Sequence, residues 1–199
     1  MSAPTRVLLV RHGQSEWNAS GRWQGQADPP LTNHGRLQAQ EAANSLGALD
    51  AVWASDLQRA AETALTIANA LGVGPVVVDE DLRERDAGEW SGLTRPEIEE
   101  RFPGYLADHR RPPGWESDED LLARALRALR RIGAEVPGGD VLAVTHGGLI
   151  YTVEGHLGEP MVRIGNVEGR YVTVDGDKVT LGERLQLAEP ADATVPNQI

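Results

Sequence analysis

Four short apolar runs punctuate the chain: Val7–Val10, Ala51–Ser55 ("AVWAS"), Pro75–Asp79 ("PVVVD") and Asp140–Thr145 ("DVLAVT"). Each is aliphatic or β-branched without polar alternation, the pattern of strands covered on both faces. Between them the apolar period becomes helical. Thr32–Leu46 predicts one helix. Leu57, Ala61, Ala64, Leu65, Ala68 and Leu71 predict another, opened by Ser55 with Gln58 as a capping box and stopped by Gly72. Leu122, Leu126, Leu129 and Ile132 form a further stripe that ends at Pro137, and Gly147–Leu157 predicts a short helix after the fourth run. Strands alternating with helices predict an α/β fold, with a mostly parallel central sheet and helices on both faces. "RYVTVDGDKVTL" (Arg170–Leu181) predicts a C-terminal hairpin turning at Asp175-Gly176 and extending that sheet. The stretch Arg95–Asp120 carries four prolines and reads as a partly helical excursion over the sheet. From residue 188 the pattern loses periodicity, so one domain is expected over 1–187 and a loose tail over 188–199.

Composition narrows the class. A chain of 199 residues suffices for one domain with a substantial core. With no cysteine there can be no disulfide, thiolate metal site or cysteine nucleophile, which fits a cytoplasmic protein. The start shows no signal-peptide pattern, and no apolar stretch approaches the ~20 residues needed to span a bilayer. Net charge is −11, from 19 basic and 30 acidic residues. That field repels nucleic acid and anionic membranes, and it makes any cluster of arginines stand out. The expected partner is a small molecule.

The arginines and histidines stand at strand ends. Arg11 and His12 end the first run, His146 ends the fourth with Gly147 and Gly148 after it, and Arg59 lies in the first turn of the helix that follows the second. In parallel sheets ligands bind beyond the carboxyl ends of the strands. Helix N-termini favour anions, and guanidinium forks fit phosphate oxygens. If these ends converge, they make a dianion site. A metal is disfavoured: Arg11 beside His12 would repel it, and no H-E-x-x-H helix or acidic grouping accompanies the histidines. A histidine with one bare ring nitrogen can attack phosphorus, while cations and a protonated or donating His146 neutralise the phosphoryl oxygens. The leaving oxygen needs a proton donor. "DLRERDAGEWSGL" offers Glu84, Asp86 and Glu89; Asp81 and Glu89 read as surface acids, and residue chemistry alone does not choose Glu84.

"LVRHGQSEWN", "HGRLQAQ", "SDLQRAAETA", "LRERDAGEWSGL" and "VTHGG", in this order from Arg6 to Leu157, resemble the histidine phosphatase superfamily, also called the phosphoglycerate mutase-like family. The resemblance implies a phosphoglycerate mutase-like fold and His12 as the phosphorylated nucleophile. It implies Arg11, Arg59 and His146 around the phosphate, Asn18 and the Gly147 N–H as further contacts, and Glu84 as proton donor and then base for water. It implies no metal or organic cofactor. Arg22, Trp23, Gln24 and Gln26 are implied near the organic part of the substrate. "GWES" stands where many members have "GGES", so Trp115 replaces a glycine on that side of the pocket. Trp17, Trp23 and Trp90 read equally well as packing residues.

The short interval from Glu84 to His146 favours the compact phosphatase branch over a cofactor-dependent phosphoglycerate mutase. Retention of all five central residues disfavours a non-catalytic phosphate-binding relative. The family implies substrates such as sugar phosphates, glucosyl-3-phosphoglycerate, phosphoserine or α-ribazole phosphate, and the Arg110-Arg111 pair reads either as a solvated charge pair or as a contact for an acidic substrate. Homodimers are common in that family.

Overall fold

The computed structural model describes residues 3–189. Its sheet holds β1 (Thr5–Arg11), β2 (Ala51–Ala54), β3 (Val77–Val78), β4 (Asp140–Thr145), β5 (Glu168–Asp175) and β6 (Lys178–Gln186), in the order β3-β2-β4-β1-β5-β6. β3, β2, β4 and β1 run parallel; β5 and β6 add the antiparallel hairpin. The helices are α1 (Glu16–Ala19), α2 (Asn33–Asn44), α3 (Gln58–Leu71), α4 (Arg95–Arg101), α5 (Asp118–Glu135) and α6 (Gly147–His156). Among the described residues no helix is long and apolar enough to cross a membrane.

The continuous apolar runs have a simple cause. Val7 and Leu9 of β1, with Val141 and Ala143 of β4, face a core completed by α5 and α6. Leu8, Val10, Leu142 and Val144 face a second core completed by α2 and α3. Both faces of the central strands are covered, so the buried threonines they hold, Thr5 and Thr145, are hydrogen-bonded to the Val136 and Leu82 carbonyls.

Several expected boundaries move. β3 covers only two residues of the predicted Pro75–Asp79, because it is an edge strand paired to β2 alone; the Asp79 N–H still donates to Ala54 O at 2.9 Å, while its side chain caps the following turn by accepting from the Asp81 N–H. The Ser55–Gln58 capping box does not form. Ser55 Oγ accepts from the Leu57 N–H, and the Gln58 N–H instead donates to Asp28 Oδ1 at 2.7 Å, so a residue thirty positions away caps α3. Gly72 ends α3 in the left-handed region as expected. The core face of α5 is Leu121, Ala125, Ala128, Leu129 and Ile132; Leu122 and Leu126 are half-buried, one position round from the predicted stripe. The excursion over 95–120 contains α4, opened by a Thr94–Glu97 capping box. Of the expected tail, Ala188 is buried, and residues 190–199 lie outside the described residues.

What positions the site is register. Arg11 pairs with Thr145, and the His12 N–H donates to Thr145 O at 3.0 Å, so His12 and His146 leave adjacent strands side by side. Gly13 is pressed against α2, where an added Cβ would come within 2.5 Å of Gly35 O. That glycine lets the start of α2 pack directly against the chain after His12.

Candidate active site

Beyond the carboxyl ends of β1 and β4 lies a cavity of about 680 Å³. Arg11, His12, Arg59, Glu84 and Gly147 all line it. His146 is fully buried and is not among the lining residues, but its ring centroid is 5.1 Å from that of His12, with the planes at 61°.

His12 is held in one tautomer. Its Nδ1 is 2.7 Å from Gly13 O, which can only accept, so Nδ1 carries the hydrogen. Its Nε2 is 3.2 Å from Arg59 Nε, which can only donate, so Nε2 is bare. Burial, with Arg59 and Arg11 close by, holds the imidazole well below its usual range. His146 is fully buried, and among the described residues neither of its ring nitrogens has a hydrogen-bond partner. Burial, with Arg59 next in effect, keeps it neutral too. Of the two forms expected from sequence, the structure therefore favours the neutral donor over the imidazolium.

Arg59 is fully buried, and among the described residues no carboxylate lies in hydrogen-bond range of it. Nη1 and Nη2 donate to Ala27 O at 2.7 Å and Gly25 O at 2.9 Å. Burial pushes its guanidinium down to about 10, which leaves it charged at neutral pH. Arg11 is also buried, with Nη1 on Ile164 O at 2.8 Å. Two buried cations facing one cavity are costly unless an anion joins them.

Glu84 comes from the loop after β3. Its Oε2 accepts from the Gly148 N–H at 3.1 Å and its Oε1 from the Arg85 N–H at 2.7 Å. A Cβ on Gly148 would sit 2.2 Å from Glu84 Oε1, so only glycine admits the carboxylate there. The sequence showed Gly148 but gave no sign of this contact. Asp86 and Glu89 are exposed, and Asp81 is bound to Arg127 and Arg131.

The remaining candidates divide. Gln24 and Trp23 line the cavity, and Trp23, Trp90 and Trp115 meet edge-on with centroids 5.3–5.8 Å apart. Trp115 forms a wall, with Arg111 over its ring at 4.7 Å. Asn18 is buried and outside the cavity lining, linked to His12 through Asn166, which donates to His12 O at 2.8 Å and to Asn18 Oδ1 at 3.4 Å; among the described residues Asn18 Nδ2 has no acceptor. Arg22 does not line the cavity. It donates to Gly92 O and Glu97 Oε2, because the Arg22–Thr94 bridge ties its backbone to the start of α4. Gln26 also lies outside the lining and donates to Glu84 O at 3.3 Å. Arg110 pairs with Asp108 at the surface, so the Arg110-Arg111 pair splits. Tyr151, Asn166 and Arg163 carried no sequence signal. Tyr151 lines the cavity and accepts from the Ile164 N–H at 2.8 Å. Among the described residues no three histidine or acidic side chains group to hold a metal ion.

The family model of the histidine phosphatase superfamily (branch 1) matches residues 7–173. Phosphoglycerate mutase-like protein 4 of Arabidopsis thaliana is 37% identical over 189 residues, 88% of this chain and 82% of that protein. A bifunctional protein of Mycobacterium tuberculosis is 45% identical over 154 residues, 72% of this chain; the match spans 41% of that longer protein. The solved mycobacterial glucosyl-3-phosphoglycerate phosphatase, complexed with VO3, has a TM-score of 0.79 and 31% identity, with 89% of this chain and 96% of that one covered.

Proposed function

This chain belongs to the histidine phosphatase superfamily, and from that premise we propose how its residues divide the work of a phosphatase on a small phosphorylated metabolite. His12 Nε2 attacks phosphorus, and the bond from phosphorus to the leaving oxygen breaks. Glu84 gives that oxygen its proton. Glu84 then takes a proton from water, the water oxygen displaces His12, and inorganic phosphate leaves. Arg11, Arg59 and the neutral N–H of His146 neutralise the three equatorial oxygens. The Gly147 N–H and the unused Asn18 amide supply further donors.

The observation that carries this reading is the tautomer of His12: N–H on Gly13 O, bare nitrogen on the cavity side beside Arg59. No proton has to leave the nucleophile before it attacks.

The organic part of the substrate would lie against Trp115, Trp23 and Gln24, with Arg111 at the mouth. An acidic sugar ester such as glucosyl-3-phosphoglycerate fits that wall by charge and by aromatic stacking. The soluble, cytoplasmic setting and the possibility of a homodimer are part of this proposal. The test is a panel of phosphomonoesters with acid-quench trapping of the phosphoenzyme. Glucosyl-3-phosphoglycerate and phosphoserine should be hydrolysed, and His12→Ala should abolish both turnover and label. Rapid conversion of 3-phosphoglycerate to 2-phosphoglycerate with a trace of 2,3-bisphosphoglycerate would replace the phosphatase with a mutase. Phosphate binding without turnover of any ester would make the chain a binding relative.

A further inference from the structure

Arg124 projects from α5 and is not part of the cavity lining, yet it is only 8% exposed. All five of its N–H groups are engaged. Nε donates to Glu116 Oε1 at 2.7 Å and Nη2 to Glu116 Oε2 at 2.8 Å. The others reach main-chain carbonyls of a single loop: Nη2 to Glu84 O at 2.9 Å, and Nη1 to Asp81 O at 3.0 Å and to Arg83 O. Glu116 returns to the same loop. Its Oε2 accepts from the Asp86 N–H at 3.1 Å, its carbonyl accepts from Arg85 Nη1 at 2.8 Å, and its N–H donates to Asp86 O at 3.0 Å. A planar fork meeting a bidentate carboxylate and three carbonyls fixes direction as well as distance.

By contrast, the Glu84 carboxylate accepts from the main-chain N–H groups of Arg85 and Gly148, and the first moves with the loop itself. The aim of that carboxyl into the cavity therefore depends on what holds the carbonyls behind it. We infer that Arg124, acting through Glu116, is a positioning residue that aims the Glu84 carboxyl at the leaving oxygen and ties it to the segment bearing Trp115 and Ser117. The inference rests on the reading of Glu84 as proton donor. A misplacement of about 1 Å at a reacting group costs on the order of a hundredfold in rate.

The test compares p-nitrophenyl phosphate, whose phenolate leaves with little help, with β-glycerophosphate, whose alkoxide needs a proton. Arg124→Lys keeps the charge and loses the fork; Glu116→Gln keeps the shape and loses the charge, and it carries the test if the first variant fails to fold. Each should lose about tenfold or more in kcat on β-glycerophosphate and less than about threefold on p-nitrophenyl phosphate, with KM nearly unchanged. In the Glu84→Gln background, Arg124→Lys should cost at most about a further twofold, since an absent acid cannot be misaimed. Equal losses on both esters, or full additivity with Glu84→Gln, would mean that the pair only supports the fold and would overturn the inference. If Glu84→Gln alone lowers both esters equally, the failure lies instead in the role given to Glu84.

Discussion

Arg59 Nε stands 3.2 Å from His12 Nε2, so the bare nitrogen of the histidine is matched to a group that can only donate. The guanidinium both orients the ring and opposes its protonation. Arg59→Met should therefore slow phosphoenzyme formation by about a hundredfold or more, in line with loss of one preorganised donor. It should also let the His12 titration rise toward its ordinary range, because one of the charges depressing it is gone. Rapid-quench labelling and imidazole NMR titration of the same variant separate the two effects. A slow variant with an unmoved His12 titration would show that Arg59 does not govern the ring's charge.

Stability should fall on mild acidification. His12 and His146 are both held below their unfolded value, so the unfolded chain binds more protons than the native one below a pH of about 6.5. A depressed histidine thus favours the fold fully above that pH and less at each step below it, by about 1.4 kcal/mol per unit for each ring until its folded value is reached. Urea unfolding between pH 7 and 5 should show a shallower loss in His146→Gln than in the wild type. Parallel pH curves for the two proteins would contradict the buried, neutral state of His146.

Gly148→Ala is expected to separate activity from stability. The new Cβ meets the tip of a flexible side chain, Glu84 Oε1 at 2.2 Å, so the carboxylate swings away and the backbone stays. Thermal unfolding should shift by no more than a few degrees, the scale of about 1 kcal/mol in a domain of this size. Hydrolysis of alkyl phosphates should drop by about two orders of magnitude, within the range general acids contribute. Unchanged hydrolysis would show that the Glu84–Gly148 contact is not used.

Tungstate or vanadate should bind the cavity, compete with substrate and raise the unfolding temperature. At a hundred times Kd, the gain should be about 2.7 kcal/mol. The buried charges of Arg11 and Arg59 are the source, so Arg59→Met should lose most of that gain. An oxyanion shift that survives this substitution would place the anion elsewhere.

The sequence by itself determined the alternation of strands and helices, and it placed Arg11, His12 and His146 at strand ends and Arg59 at a helix start. Apolar runs without alternation predict strands covered on both faces, as β1, β2 and β4 are, whereas the edge strand β3 leaves Val78 exposed; cationic or titratable residues that end such runs emerge where parallel strands open. The choice of Glu84 over Asp86 and Glu89 came from the family resemblance, and only the folded chain separates them by burial and by the Gly148 N–H. The cap of α3 was misread because Asp28 is local to it in space and distant in sequence. Arg22 was placed by motif beside the substrate, but the Glu97 carboxylate claims it. Tautomers, the unpartnered ring of His146 and the Arg124 clamp were invisible for the same reason. Each depends on which donor meets which acceptor across elements far apart along the chain, and that is settled by register and packing.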